Sequence, residues 1–351
     1  MNLEKIAHSI LAKLPAELAH DIAIQAMKYG IATPGKYKSK EPVKFLDVEL
    51  DSRIGIAAGF DKYALIQDLV RYYGFAIIEE GSFTCEGGEG NDGVRLLRVD
   101  KNIAKGMYDG CLWNRKGLNC IPAYVAAKRL ERSDQNAFAV NIAKTNNDEI
   151  MGEDGIKDII NSYKSLKRLG IYTVINVSCP NTEEGKTFEE DLVLLKELFQ
   201  ELYKIKNGSS LSRPLGVKFS PNLANLREKM EAIGEYVDFY EGVNTEKIAL
   251  AKYGKGGVSG PILREAAEEF IKIVRSLTAK PIISVGGISN GLDIVRREDL
   301  GANLFLCYNG FVYKHEKNPW AGVRFAHLIN ADYNIHRELA DLRANQNLYK
   351  S

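Results

Sequence analysis

Eight short apolar runs, separated by stretches with helical periodicity, constrain the fold of this chain more than any other feature. The stretches between them, such as 191–206 and 262–277, carry apolar residues at helical spacing. The runs occupy residues 54–59, 75–81, 138–141, 173–177, 215–219, 237–243, 281–285 and 303–307. This alternation predicts parallel strands joined by crossover helices, and eight is the number that closes a (β/α)8 TIM barrel. An open, doubly wound α/β sheet is the alternative.

Length and composition fit one such barrel with a small appendage. Barrels of this kind often reach 351 residues as one unit. The net charge of +1 gives no signature of nucleic-acid binding. The five cysteines form no CxxC pair, and the five histidines do not approach zinc-ligand spacing. We therefore expect reduced thiols and no metal site.

An extension with its own pattern precedes the barrel. Apolar residues recur at helical spacing on both sides of Pro15, which predicts two short amphipathic helices. Their apolar positions are Leu3, Ile6, Ala7, Ile10, Leu11 and Leu14, then Leu18, Ile22, Ala26 and Tyr29. A basic connector over 36–40 ends in Glu41-Pro42, so we predict an extension over 1–42 and a barrel over 43–351. Charged residues interrupt the extension, which predicts neither a signal peptide nor a membrane span.

Polar and glycine-rich segments follow the predicted strands at their carboxyl ends, where barrel enzymes place their chemistry. In strand order they are 59–62, 81–82, 141–144, 176–181, 218, 244–245, 286–287 and 308–310. Glycines over 256–260 and 286–287 favour a phosphate-bearing cofactor held by backbone N–H groups, although they could simply permit tight turns. Lys62 and Lys218 would place positive charge in a mouth made of amides and glycines, for an anionic cofactor or a substrate carboxylate.

The most informative cluster is the turn Asn176-Val177-Ser178-Cys179-Pro180-Asn181, directly after the fourth strand. Two carboxamides can recognise a planar imide or amide ring through paired donors and acceptors. A thiol between them can act as a base, because a pKa of about 8.5 leaves a few per cent thiolate at neutral pH. A lone cysteine is more often buried and inert, and we keep that interpretation for Cys85, Cys111, Cys120 and Cys307.

These motifs resemble the dihydroorotate dehydrogenases, from about Ala19 to Gly310. The segments that resemble the membrane-associated, quinone-using class 2 are 55–62 (Gly-Ile-Ala-Ala-Gly-Phe-Asp-Lys), 114–119 (Asn-Arg-Lys-Gly-Leu-Asn) and 257–260 (Gly-Val-Ser-Gly), with the two-helix extension. Cys179 instead resembles the soluble class, whose turn reads Ser-Cys-Pro-Asn, whereas class 2 usually carries serine. The chain therefore combines features of both classes.

The resemblance implies FMN-dependent oxidation of dihydroorotate to orotate for pyrimidine synthesis. Cys179 would take the proton from C5 while hydride leaves C6 for flavin N5. The implied FMN-binding residues are Ala58, Gly59, Lys62, Ser82, Asn141, Asn176, Lys218, Thr245, Ser259, Gly260, Gly287, Tyr308 and Asn309. The implied substrate-binding residues are Lys62, Asn114, Asn176, Asn181, Asn244 and Thr245.

Several positions depart from the family pattern and bear on the electron acceptor. Leu118 replaces a usual Phe, Glu183-Glu184 replaces Pro-Gly, Glu246 replaces Thr, and the loop over 85–90 lacks its prolines. We predict a quinone acceptor and peripheral attachment to the cytoplasmic side of the membrane through the extension. The alternatives are a soluble fumarate-using enzyme in the cytoplasm, a flavin oxidoreductase for another dihydropyrimidine, a non-catalytic flavin-binding barrel, and extension helices that only pack on the barrel.

Overall fold

The eight predicted runs form a closed parallel barrel in the computed structural model, which describes residue 11 and residues 13–31, 33–39, 42–99, 110–178, 188–313 and 322–348. The strands in chain order are β1 (Val43–Phe45), β2 (Val48–Leu50), β3 (Ile54–Ile56), β4 (Ile78–Phe83), β5 (Leu96–Val99), β6 (Cys111–Asn114), β7 (Phe138–Ile142), β8 (Thr173–Asn176), β9 (Leu215–Phe219), β10 (Phe239–Gly242), β11 (Glu246–Leu250), β12 (Gly254–Ser259), β13 (Ile282–Val285) and β14 (Leu304–Cys307). The barrel order is β3, β4, β7, β8, β9, β10, β13, β14, returning to β3. The (β/α)8 prediction is confirmed.

Helices surround the barrel because each connection crosses back over its outer face. In chain order they are α1 (Ala16–Lys28), α2 (Ala123–Leu130), α3 (Gly152–Leu166), α4 (Leu192–Asn207), α5 (Leu226–Ile233), α6 (Arg264–Leu277), α7 (Gly291–Asp299), α8 (Asn309–Val312) and α9 (Phe325–Leu348). Short 3-10 turns cover Val70–Tyr73, Phe188–Glu190 and Pro261–Leu263. Asp191 begins α4 by accepting the Val193 and Leu194 N–H groups, and Asn290 with Asp293 forms a capping box on α7. These caps fix where the two helices begin.

A hairpin closes the amino-terminal end of the barrel. The apolar and polar residues alternate over 43–50, which predicts a single strand. That prediction is wrong, because Leu46 adopts a φ of 52° and turns the chain between β1 and β2. Phe45 packs edge-on against Tyr172 and Phe239, with ring centroids 5.8 and 6.1 Å away. All three rings are buried, so this end is filled and the cavity lies at the other.

A four-stranded antiparallel sheet, in the order β11, β12, β6, β5, is an element that the sequence did not predict. The loop predicted over 256–260 is corrected by it: residues through Ser259 belong to β12, and Gly260 follows the strand. A Cβ on Gly256 would lie 2.5 Å from the Trp113 ring, so this glycine allows the strand to pack on the indole. The glycine therefore serves packing here.

Helix α1 lies against the barrel and leaves most of the predicted apolar stripe exposed. Ala19, Ile24 and Met27 are buried, whereas the predicted apolar positions Leu18 and Ile22 are 47% and 41% exposed. Tyr29 is also exposed. Both faces of this helix carry apolar residues, and periodicity alone does not choose which of them packs on the barrel. Membrane contact of the predicted stripe stays a prediction. The preceding predicted helix lies mostly outside the described residues.

Candidate active site

A cavity opens between the carboxyl ends of the barrel strands and the four-stranded sheet. It contains about 1030 Å³ of space, counting the part that is open to solvent. Most of the residues predicted from the sequence line it. These are Ala58, Gly59, Lys62, Ser82, Asn114, Asn176, Lys218, Asn244, Thr245, Ser259, Gly260, Gly287, Tyr308 and Asn309.

Three predicted residues are not part of this wall as described. Asn141 is fully buried behind the wall, where it contacts Ser82. Cys179 and Asn181 lie outside the described residues. The described chain reaches Ser178, whose hydroxyl donates to the Lys218 carbonyl oxygen at 3.1 Å. The turn that carries the predicted base therefore begins from an anchored residue.

A chain of side-chain hydrogen bonds leads from the cavity into the barrel. Asn244 donates to the side-chain Oδ1 of Asn176 at 3.1 Å, and the side-chain Nδ2 of Asn176 donates to the Ser82 hydroxyl at 3.2 Å. Ser82 in turn donates to Asn141. Asn141 donates to Glu79 Oε1 at 2.7 Å. Each amide is held in one orientation by its neighbour, so Asn176 and Asn244 present fixed polar groups to the cavity.

Lys218 lies inside the barrel between two buried carboxyl groups. Its Nζ is 2.5 Å from Glu241 Oε1 and 3.5 Å from Glu79 Oε1, and Tyr172 donates its hydroxyl to Glu79 at 3.1 Å. Burial and then the Glu79 charge raise the pKa of Glu241 well above its ordinary value. Burial lowers the pKa of Lys218, but the two glutamates outweigh it and the net pKa is raised. Burial and the Glu79 charge therefore oppose ionisation of Glu241, and the two carboxyl groups hold the Lys218 ammonium group between them.

The loop after β3 fixes Lys62 at the cavity. Asp61 is buried and accepts backbone N–H groups from Tyr63, Leu65 and Ile66 at 2.6 to 2.9 Å. Burial raises the pKa of Asp61, and the bonds from these N–H groups oppose that rise. Lys62 follows directly and donates to Asn119 Oδ1 at 3.1 Å. Asp61 therefore shapes the loop, and Lys62 supplies its charge to the site.

The antiparallel sheet brings Asn114 to the cavity from the other side. Asn114 ends β6, opposite Gly257 of β12, and its side chain donates to the Gly257 carbonyl oxygen at 3.3 Å. Leu96 and Leu112 of the same sheet also line the cavity. An amide set among leucines can direct a ligand through one polar contact while the apolar surface excludes water.

Gly260 and Gly287 bring bare backbone to the wall beside the start of α6. Their φ angles are 126° and 73°, a region that other residues rarely adopt. A Cβ on Gly287 would lie 2.9 Å from the Arg264 nitrogen, and one on Gly260 would lie 3.0 Å from the Cys111 Cα. Backbone that lines the cavity at this end of a barrel, next to the start of a helix, suits a phosphate group.

The wall beside helix α1 has a different character. His20 stacks on Tyr308 with ring centroids 6.1 Å apart, and its Nδ1 lies 3.4 Å from the Tyr308 hydroxyl. Burial, followed by the charges of Lys116 and Lys62, lowers the pKa of His20 well below its ordinary value. Lys116 also lines the cavity and is 6% exposed. Its pKa is lowered to about 8, mainly by burial and then by Lys62.

Sequence reasoning missed Glu79, Glu241 and Lys116 as residues of this site. A signal for the two glutamates was present, since each interrupts an apolar run that reads as a fully buried strand. A carboxyl group in such a run needs a buried partner. Lys116 gave no comparable signal, because it lies in a polar segment where a lysine is ordinarily solvent-exposed.

Comparisons with known proteins agree on one family. A family model described as dihydroorotate dehydrogenase matches residues 42–321. A relative from Roseiflexus castenholzii, named dihydroorotate dehydrogenase (quinone), is 30% identical over 89% of this chain and 88% of its own. One from Shewanella denitrificans with the same name is 28% identical over 90% of this chain and 96% of its own.

Two solved structures share the fold. A crystal structure of ligand-free DHODH from Eimeria tenella has a TM-score of 0.80 and 24% identity, covering 92% of this chain and 96% of its own. The structure of DHODH from the same organism in complex with ferulenol has a TM-score of 0.76 and 24% identity, covering 94% and 95% of the two chains. At 24% identity, these two structures show that the chain shares their fold.

Proposed function

The chain belongs to the dihydroorotate dehydrogenase family, and from this premise we propose that it oxidises dihydroorotate to orotate in pyrimidine biosynthesis. In this proposal FMN is the cofactor, Cys179 is the base and a quinone takes the electrons. The family predicted from the motifs is confirmed by the match over residues 42–321.

The observation that carries the proposal is the gathering of Lys62, Asn114, Asn176 and Asn244 around one cavity. Carboxamides on fixed strands can pair with the ring N–H and C=O groups of a pyrimidine. The Lys62 ammonium can neutralise the substrate carboxylate through a charge-assisted hydrogen bond. A dihydropyrimidine without the carboxylate would leave Lys62 unused, so the site favours dihydroorotate.

The residues present also fit FMN. Backbone N–H groups at Gly260 and Gly287 suit its phosphate, and Lys218 faces the same cavity with its charge already balanced from behind. When bound, FMN supplies the hydride-accepting chemistry. Ser82 and Asn176 would contact the ring, and the hydrogen bond between them already orients both side chains.

Cys179 is proposed as the base on its position in the chain. It follows Ser178, which is anchored to the β9 strand, and the Asn176 side chain lies at the start of the same turn. Sγ would take the proton from C5 of dihydroorotate, and the hydride from C6 would pass to the bound FMN. Two C–H bonds break and the C5–C6 double bond forms.

Turnover of dihydroorotate with a dye acceptor tests the proposal. We expect a yellow protein with about one FMN per chain that reduces the dye with dihydroorotate and is far slower with dihydrouracil, which lacks the carboxylate. Equal rates with both substrates would favour another dihydropyrimidine. Protein that binds FMN but turns over neither would indicate a non-catalytic barrel, and protein that refuses FMN would contradict the whole proposal.

The acceptor part of the proposal rests on the relatives and on the α1 surface. Both relatives are named dihydroorotate dehydrogenase (quinone). Helix α1 exposes Leu18, Ile22 and Tyr29, and the segment that follows exposes Lys36, Lys38 and Lys44. Such a surface can meet the acyl boundary and anionic headgroups of a membrane. Within the described part of the chain, no helix has the length and apolarity needed to cross a bilayer. We therefore propose peripheral contact.

Side-by-side rates with a short-chain quinone, fumarate and NAD identify the acceptor. Deleting residues 1–40 should preserve dye-linked oxidation while reducing liposome binding and quinone reduction. Faster turnover with fumarate than with quinone would place the chain with the soluble enzymes. The boundary at residue 42 stays a prediction, because Glu17 of α1 is ion-paired to Arg95 at 2.7 Å and ties the extension to the barrel.

A further inference from the structure

Lys116 is a buried lysine that lines the cavity, and its ammonium group has no partner in the part of the chain that the structure describes. Its residue is 6% exposed, and among the described residues its Nζ has no hydrogen bond and no ion pair. A buried charge without a partner is costly, and proteins seldom retain one without a use. The cavity contents are therefore the natural partner of this group.

The loop over 88–91 anchors the backbone on both sides of the Lys116 carbonyl group. Asn91 donates its backbone N–H to the Lys116 carbonyl oxygen at 3.3 Å. A Cβ on Gly90 would lie 2.1 Å from that same oxygen. Gly117, with a φ of 66°, turns the chain immediately afterwards against Asn91. The loop over 88–91 therefore packs directly against the backbone of Lys116 and Gly117.

The cavity that Lys116 lines also has apolar surface. Leu96 and Leu112 line it, and the stacked His20 and Tyr308 rings lie at the α1 side. Because the pKa of His20 is lowered well below its ordinary value, the imidazole stays neutral at pH 7. The charged groups that act on Lys116 are Lys62, Glu17, Asp21 and Arg95. An apolar wall with one ammonium group suits a flat apolar ring that carries a carbonyl oxygen.

We propose that Lys116 is the proton donor to a quinone carbonyl oxygen in the second half-reaction, an inference that rests on the quinone acceptor proposed above. Reducing a quinone to a quinol consumes two electrons and two protons. A hydride equivalent from the reduced cofactor accounts for both electrons and one proton. Lys116 Nζ–H supplies the second proton to the other oxygen, and the neutral amine is reprotonated from water.

The titration behaviour of Lys116 suits this role. Its pKa of about 8 keeps it protonated at neutral pH and makes it a far better acid than an ordinary lysine. General acids work best with a pKa close to the operating pH. Lys218 cannot take this role, since its ammonium is held between Glu79 and Glu241 with a raised pKa.

The test compares Lys116→Met with the wild type as FMN-loaded full chains. Flavin is reduced with dithionite, so that the second half-reaction is observed even if dihydroorotate is not the substrate. We expect reoxidation by a short-chain quinone to slow by about 100-fold or more in the variant. Reoxidation by ferricyanide, which takes electrons without protons, should change by less than about three-fold. In the wild type the quinone rate should fall above pH 8, and in the variant that limb should disappear.

Two further measurements separate proton transfer from a general structural effect. Lys116→Arg keeps a donor but not an acid of suitable pKa, so it should restore quinone KM and leave the maximal rate low. Binding of the anion of 2-hydroxy-1,4-naphthoquinone, measured by calorimetry, should weaken about 10- to 100-fold in Lys116→Met and recover in Lys116→Arg.

Each outcome decides one question. Unchanged quinone reoxidation in Lys116→Met, or equal slowing with ferricyanide, overturns the role of Lys116. A wild type that dihydroorotate does not reduce, but whose dithionite-reduced form shows the expected quinone dependence on Lys116, contradicts the proposed substrate and supports the proton donor. A reduced wild type that quinones do not reoxidise overturns both the acceptor and this inference.

Discussion

Lys218 and Lys116 are two buried lysines that line the same cavity in contrasting surroundings. Lys218 belongs to the barrel wall, where Glu79 and Glu241 lie 3.5 and 2.5 Å from its ammonium group. Lys116 belongs to the wall beside α1, where its pKa falls to about 8. The paired charge of Lys218 fixes the arrangement of the side chains around it. The unpaired charge of Lys116 gains a partner when a ligand binds. The barrel wall is therefore pre-organised for the first half-reaction, and the α1 wall carries a charge available for the second.

The largest expected effect separates the two half-reactions on the barrel side. Cys179→Ala should slow flavin reduction by dihydroorotate about 100- to 10,000-fold, the range for loss of a general base. Flavin content, orotate affinity and quinone reoxidation should be nearly unchanged. Stopped-flow absorbance measures both half-reactions on the same sample.

Cys179→Ser is the matched control for the base. It should also be slow, because a hydroxyl is a far poorer base unless its surroundings are built to activate it. Reduction of Cys179→Ala at the wild-type rate would show that a different group removes the proton. Slowing of both half-reactions together would remove the contrast between the two walls.

The next effect tests whether the Lys218 charge is needed for the fold. Lys218→Met leaves the Glu79 charge buried beside Glu241 without its cation, which should lower the free energy of unfolding by about 3–5 kcal/mol at pH 7. The loss should be smaller at pH 5, because the pKa of Glu241 is raised by burial and by the Glu79 charge, and Glu241 takes up a proton more readily at that pH. Urea unfolding of the FMN-free protein at both pH values measures it.

The same cluster predicts how Glu241→Gln behaves. The pKa of Glu241 is raised in the folded chain, so above about pH 4.5 the unfolded chain ionises while the folded chain stays protonated. Wild-type stability should therefore fall relative to Glu241→Gln as the pH rises from 4.5. If the wild type becomes the more stable of the two with rising pH, Glu241 is ionised in the fold.

Lys116→Met should have the opposite sign to Lys218→Met. A lysine whose pKa falls from 10.5 to about 8 makes the fold less stable by about 3 kcal/mol while it is charged, at roughly 1.4 kcal/mol per pKa unit. The variant should thus be more stable than the wild type below pH 8. The difference should shrink between pH 8 and 10.5, where the folded chain releases this proton before the unfolded chain does. Urea unfolding at pH 7 and pH 10 measures which protein is more stable and whether the difference shrinks with rising pH.

The sequence predicted the barrel wall better than the α1 wall, for a physical reason. Parallel strands buried on both faces are continuous apolar runs in the sequence. The eight barrel strands and the residues at their ends were therefore predictable. Strand β12 was not, because its glycines fit close packing on Trp113 and resemble a loop. Lys116 was not, since its burial depends on a loop and a helix that are distant in the chain. Glu79 and Glu241 were visible in the sequence as acidic residues within apolar runs. Their pairing with Lys218 was not visible there.

The smallest effect concerns the outer surface of the α1 wall. Leu18 and Ile22 are 47% and 41% exposed and pack on the barrel less than their neighbours do. Changing both to serine should alter the free energy of unfolding by about 0.5 kcal/mol or less, yet weaken binding to vesicles with anionic lipid about 10-fold. Leu211→Ser is the matched control, because Leu211 is 60% exposed in the loop before β9, at the other end of the barrel. Equal vesicle binding by the double variant and the control, measured by flotation, would mean that α1 serves only to cover the cavity. Weaker vesicle binding by the double variant alone would extend the contrast between the walls to the membrane, because the side with the unpaired lysine would also be the side that meets the lipid carrying the quinone.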